Sequence, residues 1–226
     1  MKAVEPTPRS QVRRQRDRGD YRRETVDAIL DEGFVCHIAC AAGGTVWMIP
    51  TTYGRAGDRV YIHGAAANHV LEAARAGAEL TMTVTLVDGL VLARSTFHHS
   101  VNYRSVTLFG TVTDITDPVE KEAALACIVD HILPGRAAEA RPPSPVELTR
   151  TRVVSLEIAE ASAKVRTGGP VDDEDDLGLP VWAGVLPLGQ TAGPAQPDVD
   201  HPPPVGPPPC LHQPTRWAGG GDRPAG

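Results

Sequence analysis

Residues 88–110 read DGLVLARSTFHHSVNYRSVTLFG, and the middle of that run concentrates side chains able to bind a polar ligand. His98, His99, Ser100, Asn102, Tyr103, Arg104 and Ser105 supply imidazoles, hydroxyls, an amide and a guanidinium, with Arg94 and Ser95 just ahead of them. A plain turn is built from Gly, Asn, Asp or Pro instead. Two arginines among several hydroxyls suit an anionic, planar, polar ligand, because a guanidinium offers a fixed fork of donors. The plainer alternative makes Arg94 and Arg104 salt-bridge partners. His98 and His99 adjoin, and neighbours on a strand point to opposite faces, so they do not chelate one ion. Lys164 and Arg166 alternate on one face, suited to an anion or an acidic partner, with an exposed surface pair as the alternative. No Walker loop, GxGxxG or Ser-His-Asp order is present.

The elements that must position these groups are mostly strands. Residues 22–32 place Val26, Ile29 and Leu30 on one helical face, and Gly33 stops that helix. Residues 34–41 form a strand that turns at Gly43-Gly44 into a second strand over 45–53, where Pro50 marks an edge or bulged position. A turn over 54–58 leads to a strand over 59–63, and Asn68 caps a helix carrying Val70, Leu71 and Ala74. Residues 79–87 form a further strand, and Asp88-Gly89 reads as a hairpin turn into the ligand-rich run. Another strand spans 106–115, and Asp117-Pro118 opens a helix through Ile132. A single helical turn follows at 146–149, then a last strand at 153–159. The expected class is mainly β, an antiparallel six- to seven-stranded barrel with short flanking helices.

The chain of 226 residues is 41% hydrophobic, which supports one globular core with extra segments. Three regions are expected: a basic arm over 1–19, a domain over 20–188, and a Pro/Gly-rich tail over 189–226 whose composition reads as disordered polyproline II. The net charge of −6 argues against general nucleic-acid binding. The arm carries Arg9, Arg13, Arg14, Arg16 and Arg18 and reads as a solvated leader. No apolar run approaches the roughly 20 residues of a membrane span, and no secretory pattern is present, so a cytoplasmic protein is expected. Cys36, Cys40, Cys127 and Cys210 include no C-x-x-C pair. Cys36 and Cys40 stand about 13 Å apart along a strand, too far for a shared bond or ion, and read as small buried residues.

The blocks DGLVLARS, FHHS-x-NYRSV, ASAKVRTG and LPVWAGVLPL, in that order, resemble the pyridoxamine 5′-phosphate oxidase-like, FMN-binding split-barrel proteins. Within them the similarity is to the nitroimidazole-resistance flavin proteins, and it covers residues 20–188. The resemblance implies a homodimer with FMN in the cleft between two barrels and a small-molecule acceptor such as a nitroaromatic. It places His63 and Gly64 in the loop that approaches the FMN phosphate, with His63 as an acid or electrostatic group on the substrate side. The expected HGS-x-x-SR pattern is altered here: Ala65, Asn68 and His69 stand where Ser, Ser and Arg would bind phosphate. A helix N-terminus at Asn68 and His69 still attracts an anion through its free N–H groups. If that ligand is the flavin, the donor-rich run makes Arg94, Ser95, His98, His99, Ser100, Asn102, Tyr103 and Arg104 its cofactor-binding candidates. Trp182 either covers the isoalloxazine ring or plugs the barrel. Two further readings stand beside the reductase: a non-catalytic flavin- or haem-binding module, and a dimerisation scaffold that uses the tail.

Overall fold

Antiparallel pairing accounts for nearly all of the architecture, in a computed structural model that describes residues 4–200 and 205–211. The elements run β1 (Gly19–Asp20), α1 (Arg23–Glu32), β2 (Val35–Ala42), β3 (Thr45–Ala56), β4 (Arg59–Ala65), α2 (His69–Arg75) and β5 (Leu80–Leu92). They continue with β6 (Ser100–Gly110), β7 (Val112–Asp114), α3 (Pro118–Ile132), α4 (Arg136–Glu139), α5 (Pro145–Arg150), β8 (Thr151–Glu157), β9 (Glu160–Arg166) and β10 (Gly184–Pro187). The sheet is ordered β1-β9-β6-β5-β2-β3-β4-β8-β7, and β10 joins the edge of β5 that β2 leaves uncovered. The fold is the expected mainly β class, with ten strands among the described residues rather than six or seven, in a sheet that does not close.

Sequence signals explain the local choices. Val26, Ile29 and Leu30 of α1 are fully buried, as their spacing requires. Gly43 and Gly44 both take positive φ angles, 57° and 78°, which a two-residue hairpin needs. Asn68 accepts from the Val70 and Leu71 amides, and Asp117 does the same for Val119 and Glu120. The inner side of the sheet forms one core with α1 and α2, in which Tyr53, Ile38, Met82 and Leu108 are wholly buried. Tyr53 keeps its hydroxyl satisfied by donating to the Leu30 carbonyl at 2.6 Å. On the other side α3 lies across β3 and β4 so closely that a Cβ on Gly54 would stand 2.7 Å from the Ile128 backbone.

Several expectations are corrected. Gly54 lies inside β3 rather than in a turn, because helix contact, not chain reversal, requires it; the turn falls at Gly57-Asp58. Asp88-Gly89 is not a hairpin: β5 runs straight through it, with a bulge where pairing to β6 shifts between Val87 and Gly89. The reversal comes later, at a 3-10 turn over Thr96–His98, so His98 and His99 are not strand neighbours. Strands β9 and β10 were not foreseen. The arm is not a solvated leader along its length, since Val4 is buried in the core cluster and Arg9 pairs with Glu79 and Glu160. In the tail, Cys210 donates to Glu139 at 2.9 Å, and the disorder expected for 201–204 and 212–226 lies outside the described residues.

Candidate functional site

Register lines up a row of ligand-capable side chains across five strands. Pro50 pairs with His37, His37 with Thr83, Thr83 with Thr107, and Thr107 with Ser162. Paired residues share a face, and the Thr83 and Thr107 hydroxyls indeed meet at 3.3 Å. The adjoining rung carries Thr52, Val35, Ser105 and Lys164. Val35, Val46 and Met48 are exposed on this same side, at 42%, 71% and 65%. Alternation along β3 puts Pro50, Thr52 and Gly54 on one side, so this open face is continuous with the part that α3 covers. Sequence reasoning missed His37, Thr83, Thr107 and Ser162. Each sits singly in an ordinary strand, and only the register makes a row of them.

His63 belongs to the same side. It alternates with Tyr61, whose partner Gly54 packs on α3, and it pairs with Val153, which α3 helps to cover. Its Nδ1 is buried without a hydrogen-bond partner, and burial holds its pKa below the ordinary imidazole value, so it is neutral near pH 7. Gly64 has a packing duty, since a Cβ there would come within 2.9 Å of Leu71 Cδ1.

The other candidates fall into groups set by their contacts. Asn68 is committed to capping α2, so the first amides expected to attract an anion are occupied. His69 is exposed and stacks on Trp47 at 5.2 Å between ring centroids. Arg94 and Arg104 are not open donors for an anion. The Arg94 amide and Nη1 donate to the two oxygens of Asp172 at 2.8 and 2.7 Å, while Arg104 is clamped between Glu32 and Asp88. Opposite charges at these separations neutralise both guanidinium groups, although Arg94 Nε, like Arg166 Nε, is buried without an acceptor. His98 meets Asp173 at 3.1 Å, His99 Nδ1 meets the Ser95 carbonyl at 2.9 Å, and the Ser95 hydroxyl accepts from the Phe97 amide. That turn is therefore fastened to the acidic loop.

Ser100 starts β6 opposite Val91. Asn102 donates to the Gly168 carbonyl at 3.1 Å and accepts from Arg166, while Tyr103 pairs with Arg166 in register. Arg166 was read as one of an exposed pair of cations; it is instead 6% exposed, because its guanidinium turns into the loop that follows β9. Trp182 is 68% exposed, with its ring packed over Gly184. Among the described residues no group of three or more His, Cys, Asp or Glu is placed to hold a metal ion. None of the described helices is long and apolar enough to cross a membrane.

Comparison with known proteins adds chemistry to this geometry. No curated protein matches the chain. Among solved structures, the flavocytochrome Anf3 from Azotobacter vinelandii is 41% identical over 92% of this chain and 97% of its own, with a TM-score of 0.86. The FAD and heme binding protein from Mycobacterium smegmatis is 35% identical, covers 87% of this chain and 97% of its own, and has a TM-score of 0.82. A candidate 5-nitroimidazole antibiotic resistance protein from Bacteroides thetaiotaomicron is 19% identical over 65% of this chain and 86% of its own, with a TM-score of 0.56, a likeness of fold alone. Residues 22–165 match the sequence profile described as pyridoxamine 5′-phosphate oxidase, and the chain belongs to that family.

Proposed function

We propose that this protein is a flavin-binding redox protein, working as a homodimer, that holds the flavin on the open face of its sheet and a haem beside α2. The open face carries the reading: exposed Val35, Val46 and Met48 border a row of hydroxyls. Such a surface offers apolar area to a flat ring and hydrogen bonds to its polar edge, and a second copy would turn the face into a cleft. The names of the 41% and 35% identical relatives support flavin together with haem, and that of the 35% identical relative favours FAD over FMN.

A flavin, when bound, stores and releases electrons, and the protein supplies binding and orientation. Here Thr83, Thr107 and Ser162 would hold the polar edge of the ring, with neutral His63 on the same side of the sheet. A flavin on the open face would take up the side of His37 and His63, and His69, exposed on the α2 side and stacked on Trp47, would bind the haem iron. The acceptor is a small oxidised molecule, with nitroaromatics as the first class to assay.

Absorption of the purified protein should show a flavin envelope with a Soret band, and chromatography of the released cofactor should identify the flavin. His69→Ala should remove the Soret band and keep the flavin. A colourless protein that takes up neither added flavin nor added haemin would overturn the proposal. Pigmented protein that never turns over with NADPH and a nitroaromatic would favour a binding module over an enzyme.

A further inference from the structure

Arg166 ends β9 with only 6% of its surface exposed, and a guanidinium withdrawn from water calls for a counter-charge. It has none. Its Nη1 donates to the Asn102 side-chain oxygen and to the Gly168 carbonyl at 3.3 Å, and its Nη2 donates to the Gly169 carbonyl at 3.1 Å. Its Nε is buried with no acceptor. Every acceptor is neutral. Arg94 and Arg104, which are more exposed, each hold a carboxylate within 2.9 Å.

A nearby charge is of the same sign. Arg18 lies on the 3-10 turn Arg16–Arg18, directly before β1, and β1 pairs with β9. Burial first, and the positive field of Arg18 next, push the Arg166 pKa below the ordinary value. Arg18 is half-buried and its side chain meets no acceptor among the described residues. Tyr103 stands opposite Arg166 in register. The pairing of β1 with β9 brings the Arg18 turn beside the end of β9, and among the described residues neither guanidinium bonds a carboxylate, so an anion would complete the pair.

We propose that Arg18 and Arg166, with the hydroxyl of Tyr103, form a subsite for the diphosphate of a dinucleotide. Two guanidinium groups match the charge of a diphosphate better than that of a carboxylate, and each offers a fork of donors to phosphate oxygens. Access comes from the loop side. Gly168 and Gly169 are exposed, and a Cβ on either would meet nothing within 4 Å, so the carbonyls now holding Arg166 have room to yield to ligand oxygens. The diphosphate could belong to FAD, which rests on the flavin proposal, or to a nicotinamide dinucleotide, which does not.

The test titrates the full chain, freed of bound flavin, with FAD, FMN, NADPH and inorganic pyrophosphate, as parent, Arg18→Ala and Arg166→Lys. Arg18 is outside the core, so its alanine variant should fold, and the lysine variant keeps the charge while losing the fork. Losing one charge-assisted contact should weaken binding about 10-fold or more. For Arg18→Ala we expect that loss with FAD and pyrophosphate, while FMN changes by less than about twofold. A matching loss for NADPH would identify the electron donor as the source. Equal losses for FMN and FAD, or none for either, would overturn the subsite. If no flavin binds at all, the flavin proposal fails separately, and pyrophosphate decides: binding that Arg18→Ala weakens upholds the subsite, and no binding refutes it.

Discussion

Replacing His63 by Leu should change stability and ligand affinity in opposite directions. His63 Nδ1 is buried with no partner, so the folded chain without ligand carries the desolvation of a polar nitrogen with no hydrogen bond in return. Such a group costs about 1–3 kcal/mol, and an apolar side chain of similar volume removes that cost. Taking the low end, because His63 is only partly buried, the ligand-free Leu variant should gain about 1 kcal/mol, or about 2–4 °C in Tm for a chain of this size. If the other ring nitrogen, Nε2, bonds the flavin, the same change removes one hydrogen bond from the complex and weakens flavin binding about 2-fold to 12-fold. The pH dependence follows from linkage. Burial lowers the folded pKa of His63, so below the ordinary value the unfolded chain binds more protons than the folded one. Stability in the parent should therefore fall as pH drops through the ordinary imidazole pKa and level off below the folded value. The Leu variant should lose that part of the slope. Calorimetry of both proteins with and without flavin checks each sign. A ligand-free variant less stable than the parent, together with unchanged flavin affinity, would refute the reasoning.

Gly54→Ala should destabilise the fold by about 1–3 kcal/mol, read by urea unfolding, because its methyl group would press on the α3 backbone at 2.7 Å. Met48→Lys, on the exposed side of β3, should shift a dimer to monomer in light scattering and lower Tm only by what the partner contributes, since the side chain is 65% exposed in the single chain. Cys36, whose thiol pKa burial pushes up to about 12, should resist iodoacetamide at pH 8 in the folded protein and react once unfolded. Thr83→Val should weaken flavin binding by about 2-fold to 12-fold, the net value of one neutral hydrogen bond, and a flavin fluorescence titration measures it.

Local signals were legible where one residue or one short pattern decides the geometry. Asn68 and Asp117 cap their helices by bonding amides two and three residues on, and Gly43-Gly44 needs only its own φ angles. Asp88-Gly89 was misread because the same dipeptide suits a hairpin or a bulge, and only the pairing of β5 with β6 on both sides of it selects the bulge. Strand β9 escaped notice because its buried apolar positions are Ala161 and Ala163. Small residues alternating with Ser162 and Lys164 leave little contrast for a period of two.

The arginines show why binding groups are harder to read than elements. Arg94 and Arg104 stand in a run dense with donors, yet their charges are cancelled by Asp172 and Glu32, which lie 78 and 72 positions away in the chain. Arg166 looked like one of a solvated pair, yet the turn of the chain at Gly168 and Gly169 draws it inside and leaves its charge unanswered. Whether a guanidinium can serve a ligand depends on the carboxylates within about 4 Å of it, and distance in space is what a single sequence withholds. Exposure is an equally poor guide, because the most buried of the three cations is the one without a counter-charge. Folding therefore hides some charges inside ion pairs and strands others, and a charge left stranded at the edge of an open sheet face has chemistry still to do.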